Sequence, residues 1–70
     1  MYVVGDIVVY KNVDGLVKIQ LQKPKFVVIG FQVWQAKVLE VINEASFGGN
    51  PKVGKLVKIS ERWFVEKVKE

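Results

Sequence analysis

The chain has seventy residues, no cysteine, no histidine and a net charge of +4, so one small domain has to hold itself by packing alone. Disulfide staples are excluded, as is a structural zinc site of the usual ligand set, and a chain this short buries only about 60% of the surface its unfolded form exposes. Half of the residues are nonetheless hydrophobic, and valine leads them, which favours strands because branching at Cβ suits a pleated surface.

Met1 to Asp6 has no basic n-region, so no signal peptide is expected. The most apolar run, Phe26 to Phe31, is far shorter than the ~20 residues of a spanning helix. A soluble cytoplasmic protein with no membrane partner is the expectation. Tyr2 to Tyr10 predicts a first strand, with Val4-Gly5-Asp6 leading into Ile7-Val8-Val9-Tyr10. Asn12-Val13-Asp14-Gly15 predicts a tight turn, Asp supplying a side-chain bond and Gly the positive φ. Leu16 to Gln22 alternates, with Val17, Ile19 and Leu21 on one side and Lys18, Gln20 and Gln22 on the other. The two runs read as a hairpin.

Lys23-Pro24-Lys25 predicts a break, because proline has no N–H to give a central strand. Extended structure resumes at Phe26 to Ile29, and Gly30 predicts a bulge or bend before Phe31, itself expected in the core. Phe31 to Asn43 is the longest ordered segment. As a strand it sets Trp34, Ala36, Val38 and Ile42 against Val33, Leu39 and Val41. A helix over residues 35–45, giving an α+β fold, is the alternative, although no N-cap residue precedes it. Ala45 to Lys52, through Phe47-Gly48-Gly49-Asn50-Pro51, predicts one long flexible Gly-rich loop. Val53 to Ile59 predicts a further strand, Ser60-Glu61-Arg62 a single helical turn, and Trp63 to Val68 a closing strand, with a C-terminal helix from Glu61 as the competing reading. Five or so short strands punctuated by turns give an all-β class.

The order Gly5-Asp6-Ile7-Val8, Trp34-Gln35-Ala36-Lys37-Val38, Gly54-Lys55-Leu56-Val57, Ser60 and Phe64-Val65-Glu66-Lys67-Val68 resembles the Src homology 3-like barrel, and the Trp-x-Ala-Lys-Val element is also similar to Tudor-type barrels. The resemblance implies a small five-stranded barrel with a short 3-10 turn before its last strand. In peptide-binding members of that family the first tryptophan of a pair floors the proline-recognition groove. Here Val33 holds that position and Trp34 falls on the second, more structural one, while Phe64 lies near the groove position of the closing-strand tyrosine. Recognition of proline-rich ligands is therefore not expected.

Without His, Cys or Thr, hydrolytic triads and metal-bound water are out of reach, and Ser60 has no base beside it in sequence. Asp6 and Asp14 flank a hairpin, where carboxylates more often bond backbone than catalyse. Gly48-Gly49 lacks the Gly-Lys-Ser/Thr ending of a phosphate loop. A non-enzyme without cofactor or metal is expected.

The charge is uneven. Residues 1–22 balance, 23–37 carry +3, 38–50 carry −2 and the remainder +3. The expected binding face comprises Lys23, Lys25, Lys37, Lys52, Lys55, Lys58 and Arg62 contacting phosphates of DNA or RNA, with Trp34, Phe47, Trp63 and Phe64 as candidate aromatic contacts. The alternative for the lysines is a solvated surface that protects strand edges, and for the tryptophans the core. A protein-interaction module, or a homo-oligomer that completes its core by self-association, stands beside the nucleic-acid reading.

Overall fold

A computed structural model describes residues 1–68. Strands β1 (Ile7–Asn12), β2 (Gly15–Val28), β3 (Phe31–Asn43) and β4 (Leu56–Ser60) are followed by a 3-10 turn, η1 (Glu61–Trp63), and β5 (Phe64–Val68). All pairings are antiparallel, in one five-stranded sheet of order β4-β3-β2-β1-β5. The all-β expectation holds, and residues 35–43 are strand rather than helix. Among the described residues no helix is long and apolar enough to cross a membrane.

The sheet is strongly curled. Fourteen extended residues, the length of β2, would span ~46 Å if straight, yet the longest dimension of the molecule is 29 Å. Four register shifts along the β2–β3 ladder supply the bending. The link from β4 to β5 requires curling as well. These strands are the two edges of the sheet, about 19 Å apart if it were flat, and the step from Ser60 to Phe64 reaches at most about 14 Å. Among the described residues no ladder joins β4 to β5, so the curled sheet is not closed into a barrel.

The bulges also decide which residues face inward. Leu39 and Ile42 are the extra residues where Lys18 pairs with Glu40, Ile19 with Val38, and Val17 with Val41. Alternation therefore resets, Val41 packs on the core with Trp34, Ala36 and Val38, and Ile42 turns out to solvent, contrary to the simple period-2 assignment. Val8, Tyr10, Val17, Ile19 and Leu21 complete the buried cluster, flanked by Tyr2, Val57, Ile59 and Phe64.

Three further expectations are corrected. Pro24 does not break β2, which runs on to Val28. Bulges at Gln22 and Lys25 bracket the proline, and β1 pairs with β2 only from Gly15 to Gln20, so the ladder there is one a proline can enter. Phe31 is exposed rather than core. The strand expected over residues 53–59 begins at Leu56, with Val53 and Gly54 in a turn tied to β3 by Gly54 N–H donating to Val38 O at 2.8 Å.

Candidate functional site

An open cleft of about 700 Å³ lies where three separate pieces of chain meet. One wall is the end of β1 and its turn, Tyr10 to Val13. A second is the tip of the β2–β3 hairpin, Phe26, Val28, Ile29 and Phe31, with Val33 beneath it. The third is the β4–η1 corner, Lys58 to Ser60 with Arg62 and Trp63.

Backbone geometry singles out two of these residues. Val13 (φ 60°) and Ile29 (φ 49°) are the only non-glycine residues of positive φ among those described. Each begins a two-residue hairpin loop, Val13-Asp14 and Ile29-Gly30, a setting in which Gly or Asn is usual because a branched Cβ is strained there. Gly30, with φ 79°, has the conformation its position asks for. The positive φ of the first turn thus falls on Val13 and not on Gly15. That glycine is needed for close approach, since a Cβ on it would sit 2.5 Å from Asn43 O and 2.7 Å from Ala45 N. Val13 and Ile29 are 69% and 83% exposed and both line the cleft.

The corner that carries the third wall is anchored in the core. Trp34, buried, donates its indole Nε1–H to Glu61 Oε2 at 2.7 Å, and Ser60 Oγ caps the turn by accepting from Arg62 N–H at 3.2 Å. Trp63 is consequently presented half-exposed, with the Arg62 guanidinium 5.3 Å from its ring centroid. Burial raises the pKa of Tyr10 at the cleft floor.

Lys11, Lys58 and Arg62 are the charged residues lining the cleft, and no carboxylate lines it. The ion pairs among the described residues, Lys18–Glu40 at 3.8 Å and Lys67–Asp6 at 3.1 Å, involve none of the three. Nearby acids are already engaged. Glu61 holds Trp34, and Asp14, in the field of Lys11, accepts from the backbone N–H of Ser46 at 2.9 Å and from its hydroxyl. Those bonds from Ser46 lower the pKa of Asp14 and pin the start of the long loop to the first turn. Asp6 is lowered mainly by the backbone N–H of Val3, with Lys67 assisting. The side-chain nitrogen of Asn12, buried at the cleft, finds no hydrogen-bond partner among the described residues.

Of the residues singled out from sequence, Lys58, Arg62 and Trp63 come together here. Lys23 shares a cross-strand row with Gln35 and Lys58, and Lys37 lies two residues along β3 from Gln35. Lys25 sits in a bulge, and Lys52 and Lys55 lie in the β3–β4 connection without lining the cleft. Trp34 is core, and Phe47 is almost wholly exposed in the long loop. Phe64 packs edge-on against Tyr2, ring centroids 5.0 Å apart, and belongs to the core margin. Sequence reasoning missed Lys11, Asn12, Val13, Phe26, Ile29 and Phe31 as cleft residues. The usable signal was a β-branched residue opening each short turn. Ser46, the partner of Asp14, was also missed. Comparison of the chain with family models, curated proteins and solved structures finds no match.

Proposed function

We propose that this chain is a non-catalytic binding module of Src homology 3-like barrel design, and that its cleft takes an apolar segment of a partner protein. The strand order, the curled sheet and the 3-10 turn between β4 and β5 support the barrel reading. The observation that carries the function is the pair Val13 and Ile29. Left-handed conformations cost β-branched residues on the order of 1–3 kcal/mol each, and both occur at the lining of one cleft. Solvent-exposed Phe26, Phe31 and Trp63 between them form an apolar surface of the kind that marks an interaction site. The nucleic-acid reading has less support, because of the basic residues expected from sequence to contact phosphates only Lys58 and Arg62 line the cleft.

The test is a random-peptide display selection on the immobilised protein, repeated with Val13→Gly and Ile29→Gly combined. Glycine relieves the backbone at both positions, so the double variant is at least as stable by thermal melt. Selected peptides should bind the parent and not the double variant. Peptides that bind both equally would overturn the cleft as the site.

A further inference from the structure

Resting on that reading, we infer that the segment the cleft takes is acidic as well as apolar, its carboxylates meeting Lys11, Lys58 and Arg62 while its hydrophobic side chains lie between Phe26, Phe31 and Trp63. The three cations line the same cleft with no acid among its lining residues, and none is ion-paired among the described residues. An uncharged segment would leave these cations without a counter-charge from the ligand, and a basic one would meet like charge. A carboxylate complements them.

Arg62 is the best placed of the three. Its guanidinium is already held near the Trp63 ring, so less side-chain entropy is lost when its planar fork closes on a carboxylate. Lys58, on a strand, offers a point charge from the rigid side of the cleft. Attraction between exposed charges acts mainly on the encounter rate and is screened by salt.

The experiment uses three synthetic peptide pools with the same randomised Leu/Phe/Val centres, flanked by Glu, by Gln or by Lys. Their equilibrium capture by the full chain is measured at low and high salt. Glu-flanked peptides should be held about tenfold more tightly than Gln-flanked ones at low salt, with the gap narrowing at high salt. Lys58→Glu combined with Arg62→Glu, both exposed positions, should reverse the preference toward Lys-flanked peptides while the thermal melt stays unchanged. Equal capture of the Glu and Gln pools overturns the inference and leaves the cleft as a binding site. No capture of any pool overturns both. Displacement of the Glu pool by a single-stranded oligonucleotide of higher affinity also overturns the inference, by making the ligand a nucleic acid.

Discussion

β2 and β3 pair along their whole length, yet the two ends of this hairpin have opposite fates. From Gly15 to Gln22, β2 alternates between buried and half-buried residues, whereas every residue from Lys23 to Val28 is exposed. The apolar content does not explain the difference, since Val17, Ile19 and Leu21 at one end are matched by Phe26, Val27 and Val28 at the other. What differs is cover. β1 flanks β2 as far as Gln20, and Tyr2, Ile59 and Phe64 pack on the cluster beneath it. The far end has no such neighbour and forms a wall of the cleft instead. Burial is a property of what lies opposite, not of the side chain alone, and the uncovered end is free to meet a ligand.

Mutation can break this contrast. Ile19, fully buried, should lose about 2–5 kcal/mol on Ile19→Ala, enough to leave so small a domain largely unfolded. Val27→Ala, on the exposed end, should stay within about 0.5 kcal/mol of the parent. Urea denaturation of the two variants measures both, and comparable losses would remove the distinction. Gly15→Ala attacks the covered end through the backbone. Its Cβ meets Asn43 O and Ala45 N, which cannot swing aside as side-chain ends do, and a loss of about 1–3 kcal/mol is expected in the same assay.

A gain should come from the exposed end. Ile29→Asn places an Asn-Gly pair in a loop whose first residue already has a positive φ, and should raise stability by about 1 kcal/mol. The same change should weaken capture of cleft-binding peptides, because a lip of the cleft is lost. A variant that gained stability and kept full binding would detach the strain from the function.

The smallest effect is expected from pH. Asp14 and Asp6 both titrate below the ordinary aspartate value of 3.8 in the folded chain. A lowered folded pKa means that the unfolded chain takes up protons first as pH falls. Their contribution is therefore complete well above pH 3.8 and is lost as pH falls through the folded values. Thermal melting should be level with respect to these groups through neutral pH and decline in acid. Asp14→Asn, which removes the charge but keeps an acceptor for Ser46, should flatten part of that decline.

Much of the sheet was legible residue by residue. The alternation of Leu16 to Gln22 marks the core face of β2 because a period of two has one meaning on a half-buried strand. A helical turn was expected at Ser60-Glu61-Arg62, and it falls one residue later, at Glu61–Trp63, because the Ser60 hydroxyl caps it by satisfying a free N–H of that turn. Trp34 was recognised as a core candidate, though its bond to Glu61 spans a sequence distance no local pattern encodes. The bulges at Gln22, Lys25, Leu39 and Ile42 were not legible. A bulge is a two-strand property, set by which partner residue is skipped, and the one at Leu39 reset the facing of Val41 and Ile42. The cleft was hidden for the same reason: its walls come from residues 10–13, 26–33 and 58–63.

The sequence by itself determined that this is an all-β chain held without staples, where its first hairpin turn falls, and that its charge is positive. Those follow from side-chain branching, period and composition, which act locally. Tertiary structure decided which apolar residues are covered, which cations share a cleft, and that Val13 and Ile29 bear the left-handed conformations. Each of these depends on how a curled sheet brings distant strands together, and curvature is a sum over contacts that no single segment contains.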